Sequence, residues 1–104
     1  KSFQISRQYF RTRKYKAAIV SLENTLQRFP DTKHREDIYL LMVKSNYYWA
    51  KNSIDSKKQE RYSNTKKAYT KFANSFPESK SMKEALMILE KTNENLKEIE
   101  SKSI

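Results

Sequence analysis

The sequence has 104 residues and contains no cysteine, no glycine and only two prolines. Without glycine, glycine-rich phosphate-binding loops are excluded, and hairpin turns that need positive φ angles are disfavoured. Without cysteine, disulfides and thiolate metal sites are excluded, which fits either a reducing or an oxidising compartment. No apolar run is long enough to cross a bilayer. Together with abundant Lys, Glu, Leu and Ala, these absences favour an all-α fold in one domain, residues 1–104.

Acidic residues are scarce in the first three-quarters of the chain. The net charge is +10, and residues 1–77 hold 17 basic and 6 acidic side chains, whereas residues 78–104 hold 5 and 6. Such a field attracts anionic partners: nucleic acid, an acidic protein surface or lipid headgroups. In the plainer interpretation, Lys and Arg only solvate the outer faces of helices, because no local run is dense enough to form a basic arm.

Hydrophobic periodicity predicts five helices along the chain. Their expected bounds are about 2–11, 15–29, 34–53, 57–76 and 80–100. The third predicted helix is apolar around most of its circumference, and Asp37, Lys44 and Lys51 share the narrow charged wedge that remains. We therefore expect neighbouring helices to enclose it on several sides.

Prolines and capping patterns mark the ends of these helices. Pro30 and Pro77 are expected to end the second and fourth helices, because a proline pushes the preceding residue out of the α region. Residues 56–59 and 81–84 have the form of capping boxes, which would open the fourth and fifth helices.

A repeat with a constant offset of 47 residues links the two halves of the chain. Residues 29–33 read Phe-Pro-Asp-Thr-Lys, and residues 76–80 read Phe-Pro-Glu-Ser-Lys. Further corresponding pairs are Tyr15 with Tyr62, Ala18 with Thr65, and Leu22 with Tyr69. Helix, proline and helix thus recur with their buried positions preserved, which indicates a helical repeat protein.

The second predicted helix resembles the second helix of a tetratricopeptide repeat. The matching positions are Tyr15, Ala18, Leu22, Thr25 and Pro30. This resemblance implies a right-handed solenoid of about five antiparallel helices, in which two repeat units are followed by a terminal helix. The offset exceeds the usual period of about 34 residues, and the long third helix with its following loop accommodates the excess. The family's glycine at the turn between helices is replaced near Arg13 and Lys14.

Three features in combination resemble the C-terminal repeats of the BamD family of outer-membrane assembly lipoproteins, most closely its forms in the Bacteroidetes. They are the two Phe-Pro segments, residues 44–53 and residues 60–65. The resemblance covers roughly residues 3–99. It implies a protein-docking scaffold at the periplasmic face of the outer membrane, bound to the periplasmic domains of the barrel-assembly outer membrane protein. It also implies an upstream lipidated cysteine, so we expect this chain to be the C-terminal part of a longer one.

The sequence offers no constellation that would support catalysis. His34 is the only histidine, and without cysteine or a second histidine nearby it does not found a zinc site. We interpret it as a surface residue in the first turn of a helix, where Glu36 and Asp37 suit the helix dipole. We therefore expect no enzymatic activity, no catalytic residues, no metal and no cofactor.

A binding surface is expected where the third predicted helix ends and the fourth begins. Its candidate residues are Lys44, Lys51, Asn52, Arg61 and Asn64. Two alternatives remain open. One is a basic nucleic-acid-binding module, in which Tyr39, Tyr47, Tyr48 and Trp49 would stack on bases, although aromatic residues at helical spacing more often belong to the core. The other is a soluble adaptor built from the same repeats.

Overall fold

A computed structural model describes residues 2–102 of the chain. These residues form five α-helices: α1 Ser2–Arg11, α2 Tyr15–Arg28, α3 Arg35–Lys51, α4 Asp55–Ser75 and α5 Met82–Lys102. The described part of the chain contains no β-strand, so the all-α fold is confirmed. Several helix ends differ from the predicted ones by one or two residues.

The helices stack in chain order into two layers. Each helix packs against the next one, and α3 also contacts both α1 and α5. Thus α1, α3 and α5 form one layer, and α2 and α4 form the other. The molecule measures 45 × 28 × 20 Å along its principal axes. This arrangement is the expected tetratricopeptide-like helical solenoid, with two helix pairs and a terminal helix.

Helix α3 contributes to every part of the hydrophobic core. Its Ile38 packs with Leu22 of α2 in a first cluster, and its Val43 packs with Phe72 of α4 in a second. A third cluster contains Ala50. All five of these side chains are fully buried. Helix α3 contacts all four other helices, so the prediction that neighbours enclose it is confirmed. It thereby joins the two repeat units.

The same hydrogen bonds form in the turn that contains each Phe-Pro segment. Thr32 Oγ1 accepts a bond of 3.2 Å from the His34 amide, and Ser79 Oγ accepts one of 3.0 Å from the Ser81 amide. The amides of Thr32 and Ser79 each donate to the phenylalanine carbonyl three residues earlier, both at 3.1 Å. Since the Ser81 amide bonds to Ser79, the capping box predicted for 81–84, in which Glu84 would accept that bond, is wrong.

The start of α4 also differs from the prediction. The helix begins at Asp55, and Ile54 occupies the N-cap position with extended backbone angles of φ −66° and ψ 153°. Ser56 therefore lies inside the helix, and the capping box predicted for 56–59 is wrong. The Ile54 carbonyl accepts a bond of 3.0 Å from the Lys57 amide, but the isoleucine side chain has no oxygen that could accept a second one, so this start lacks the stabilisation of a polar cap.

The hairpin of α3 and α4 extends farther than the hairpin of α1 and α2. Tyr15, the first residue of α2, corresponds to Tyr62 in the repeat, yet α4 begins seven residues earlier, at Asp55. Seven residues of helix span about 10 Å. The Tyr15 ring stacks on Tyr48 with ring centroids 5.8 Å apart, and α3 continues beyond that level. The α3–α4 hairpin thus projects past the α1–α2 turn and leaves a step between them.

Candidate functional site

The five predicted site residues do not form one surface. Lys44 pairs with Glu84 of α5, Nζ to Oε2 3.1 Å, and its ammonium group also lies 5.9 Å from the centre of the Phe10 ring. Both charged side chains are partly exposed, so the pair contributes little stability. Helix α5 thereby engages part of the charged wedge, whose Lys44 and Lys51 the sequence predicts to be binding residues.

The other four candidates lie on the projecting α3–α4 hairpin. Asn52 and Arg61 line a cavity at the step between the two hairpins. Lys51 is exposed, and its ammonium group lies 5.9 Å from the centre of the Tyr48 ring. Asn64 is half-buried, about one turn along α4 from Arg61. The structure therefore brings Asn52 and Arg61 to one site, while Lys44 belongs to another face.

We call the cavity at this step the notch. Its volume is about 610 Å³. Residues 13–17 line it from the α1–α2 turn and the start of α2, Trp49, Asn52 and Ser53 line it from the end of α3, and Arg61 lines it from α4. Three helices thus converge on the notch, which exists because the second hairpin extends past the first.

Arg61 is held in place by two groups of α3. Its guanidinium carbon lies 4.1 Å from the centroid of the Trp49 indole, and its Nη1 donates a hydrogen bond of 2.6 Å to Ser53 Oγ. Ser53 Oγ in turn donates to the Trp49 carbonyl. A cation over an indole face is worth about 0.5–2 kcal/mol, depending on its exposure. The guanidinium is therefore positioned before any partner arrives.

The notch is cationic. Arg13, Lys14, Lys16 and Arg61 all line it. The two ion pairs found within residues 2–102 lie elsewhere, so none of these four cations has a carboxylate within ion-pair distance in that part of the chain. Positive charges gathered around a concave surface raise the local attraction for anionic groups.

Arg13 holds a backbone conformation that usually belongs to glycine. Its φ angle is +63°, and it follows the end of α1. The Lys14 amide donates to the Tyr9 carbonyl at 2.8 Å, and the Arg13 amide donates to the Phe10 carbonyl at 3.1 Å. This is the Schellman pattern of helix termination, in which the left-handed position favours glycine. The missing family glycine was the only sequence signal that pointed to Arg13.

The aromatic residues belong mainly to packing rather than to a stacking platform. Tyr47 is buried, while Tyr39, Tyr48 and Trp49 are half-buried. Arg61 covers one face of the Trp49 ring, and Tyr48 is stacked on Tyr15. Base stacking needs ring faces that are open to the nucleic acid. This arrangement therefore disfavours the nucleic-acid interpretation.

Two tyrosines of the third core cluster have perturbed acidity. Burial raises the pKa of the Tyr47 and Tyr62 phenols, whose ring centroids lie 6.0 Å apart. Neighbouring groups add to the pKa shift: Tyr48 and Glu94 for Tyr47, and Tyr47 and Glu98 for Tyr62. All of these neighbours disfavour a further negative charge, so both phenols are packing groups that stay neutral.

A second groove lies between α1 and α2, where Ile5 is 54% exposed and Val20 is 45% exposed. Apart from Lys16 and Arg28, it carries no charged side chain among the described residues, so its chemistry does not specify a partner. Within residues 2–102, no cluster of His, Asp or Glu is suited to hold a metal ion. None of the described helices is long and apolar enough to span a membrane.

Comparison with known protein families identifies a family model that covers the described helices. The family model YfiO, described as an outer membrane lipoprotein, matches residues 2–103. The match includes all five helices, both Phe-Pro segments and the notch. A comparison with curated proteins finds no match to this chain.

Proposed function

Because this chain belongs to the YfiO family of outer membrane lipoproteins, which is BamD-like, we propose that it is a non-catalytic docking scaffold of the machinery that assembles β-barrel proteins into the outer membrane. The single observation that carries the proposal is the family match across the whole helical-repeat fold. Stacked helix pairs present broad surfaces for protein partners, which suits a scaffold. Segments 44–53 and 60–65 support a Bacteroidetes-type member.

The proposed partner is the barrel-assembly outer membrane protein, bound through its periplasmic domains. The excess of basic residues in 1–77 suits acidic patches on those domains. The proposed contact residues are Lys44, Lys51, Asn52, Arg61 and Asn64. Since Lys44 is engaged by Glu84, we place the centre of the contact nearer to Asn52 and Arg61.

The proposed location is the periplasmic face of the outer membrane. The chain would form the C-terminal helical-repeat domain of a lipoprotein, tethered by a lipidated cysteine upstream of Lys1. The family description supports outer-membrane association. The upstream open reading frame tests this directly, because a signal peptide that ends in a cysteine is expected, and its absence would favour a soluble adaptor.

Isothermal titration of the complete lipoprotein against the partner's periplasmic domains tests the docking role. We expect binding that weakens as salt rises, because exposed charges are screened over about 8–10 Å at ordinary ionic strength. No binding at low salt would contradict the role. The double substitution Lys51→Glu with Arg61→Glu reverses the two charges nearest the centre of the contact and should weaken binding about tenfold, or about 1.4 kcal/mol. Unchanged affinity in this variant would argue against the proposed surface, even if the docking role holds.

A further inference from the structure

We propose that the notch binds an acidic segment of a protein partner, and that an apolar side chain of the same segment covers Ile54. This proposal rests on the docking role above and specifies the chemistry of what docks. It assigns a role to Arg13, Lys14 and Lys16, which the sequence did not single out as binding residues.

Charge is the first argument for an acidic occupant. The four cations of the notch come from the α1–α2 turn, from α2 and from α4, and within residues 2–102 none is neutralised by a carboxylate. Their side chains surround a cavity of about 610 Å³. Complementary charge around a concave surface selects partners and speeds their association. A segment that carries several carboxylates is the matching chemistry.

The fixed position of Arg61 is the second argument. The Trp49 ring and the Ser53 hydroxyl hold its guanidinium from two directions. A guanidinium has five N–H donors, more than the bond to Ser53 uses, and its planar fork suits a carboxylate. A side chain that is already ordered loses little conformational freedom on binding, so the notch is prepared for an anionic group.

The third argument comes from two residues that are unfavourable for the fold. Arg13 occupies a left-handed position that favours glycine, and Ile54 occupies an N-cap that favours Ser, Asp or Asn. Ile54 is also 69% exposed. Both residues lie in the turns between paired helices, at the same end of the antiparallel stack as the notch. Residues that are unfavourable for their backbone position are expected at functional sites, where binding rather than stability decides the side chain.

The aromatic geometry favours a protein over a nucleic acid. Arg61 covers one face of Trp49, and Tyr15 and Tyr48 stack on each other, so these rings are engaged within the molecule. An exposed Ile54 offers nothing to a phosphate backbone, whereas an apolar side chain of a protein segment would remove it from water. An acidic protein segment uses both the cations and the isoleucine.

Trp49 is the only tryptophan, so its fluorescence reports occupation of the notch. The probe is a short synthetic peptide that alternates Glu with Leu, and the reference is the same peptide with Gln for every Glu. The 104-residue chain is titrated with each. We expect the Glu peptide to bind at least about tenfold more tightly than the Gln peptide and to weaken with salt. Equal affinities would overturn the proposal, and so would tighter binding of a single-stranded oligonucleotide of equal charge.

Matched variants locate the site. Lys14→Gln with Lys16→Gln removes two exposed cations of the notch and should weaken the Glu peptide about tenfold. Lys67→Gln with Lys71→Gln removes two exposed cations of α4 that do not line the notch, and the affinity should stay the same. Equal losses in both variants would mean a general charge effect and would overturn the assignment. Circular dichroism of each variant confirms the fold.

The same variants separate this proposal from the docking role. If the partner's periplasmic domains bind the natural chain and the Lys14/Lys16 variant equally, the docking role stands and the notch is not its site. If those domains do not bind but the Glu peptide binds in the notch, the barrel-assembly role fails and the acidic-segment site stands. If the Lys14/Lys16 variant binds the domains more weakly and the Lys67/Lys71 variant does not, both the docking role and the acidic-segment site are supported.

Discussion

The Ser79 hydroxyl donates a hydrogen bond of 2.5 Å to a carboxylate oxygen of Glu36, across 43 positions of sequence. Ser79 lies in the turn before α5, and Glu36 lies in the first turn of α3. The same hydroxyl oxygen accepts the Ser81 amide. Ser79 therefore ties the start of α5 to the start of α3. Its counterpart in the first repeat, Thr32, accepts the equivalent local bond from His34.

Ser79→Ala should lower the free energy of unfolding by about 2 kcal/mol, because it removes both a bond to a charged group and the acceptor of the Ser81 amide. Thr32→Ala is the matched control, and it should cost about 1 kcal/mol or less, because Thr32 makes only the local bond with the His34 amide. Urea unfolding measures both. A cycle with Glu36→Ala isolates the bond between the two side chains. If the losses from Ser79→Ala and Glu36→Ala simply add, the two residues are not coupled.

Leu22 carries much of the packing between α2 and α3. It is fully buried and lies in one cluster with Ile38 and Leu41 of α3. Leu22→Ala should lower the free energy of unfolding by about 2–5 kcal/mol, because the surrounding core only partly fills the cavity. Val20→Ala, on the same helix but 45% exposed, should cost less than about 1 kcal/mol. Similar losses in thermal unfolding of both variants would contradict this account of the core.

The helices and their order could be predicted because their signals are local and repeated. Apolar spacing gives each buried stripe, and Pro30 and Pro77 follow the ends of α2 and α4. The start of α4 could not be read from its local pattern. The polar Ser56 is a good cap in isolation, yet the helix begins at Asp55 with Ile54 at the N-cap position.

The notch could only be predicted in part. The sequence indicates Asn52 and Arg61 because they flank the predicted turn between the third and fourth helices. Residues 13–17 lie far from them in sequence and reach the same place because the two hairpins differ in length. The sequence predicts that Lys44 binds a partner, whereas in the structure it pairs with Glu84 of α5. That pair depends on how α5 packs against α3. Residue spacing along one helix does not predict which side chains of two different helices will pair.

The two buried tyrosines should make the protein sensitive to alkali. Burial raises the pKa of Tyr47 and Tyr62 above the usual value of about 10. Above that pH, the phenols lose protons in the unfolded chain before they do so in the folded one. The unfolded state then binds fewer protons, so the free energy of unfolding falls as pH rises above about 10, and the stability is complete below it.

Urea unfolding at a series of pH values from about 8 to about 11 measures this fall. In the double variant Tyr47→Phe with Tyr62→Phe, the fall above pH 10 should be smaller, since neither phenylalanine ionises. An identical pH profile in this variant would show that other groups, such as the many lysines, account for the alkaline loss.

Arg13 should show a conflict between stability and binding. A non-glycine residue at a left-handed position costs roughly 1–2 kcal/mol, and part of the gain from glycine is offset by its greater freedom in the unfolded chain. Arg13→Gly should therefore raise the free energy of unfolding by about 0.5–1 kcal/mol. The same change removes one cation from the notch, so the affinity for the Glu-Leu peptide should fall.

Arg13→Ala separates these two effects. Alanine keeps the Cβ atom and hence the strain of the +63° φ angle, but it lacks the charge. It should weaken peptide binding as much as Arg13→Gly does, without the gain in stability. If both variants bind the peptide like the natural chain, Arg13 does not serve the notch. If Arg13→Gly is no more stable than Arg13→Ala, the turn is not strained, and the third argument for an acidic docking site loses one of its two residues.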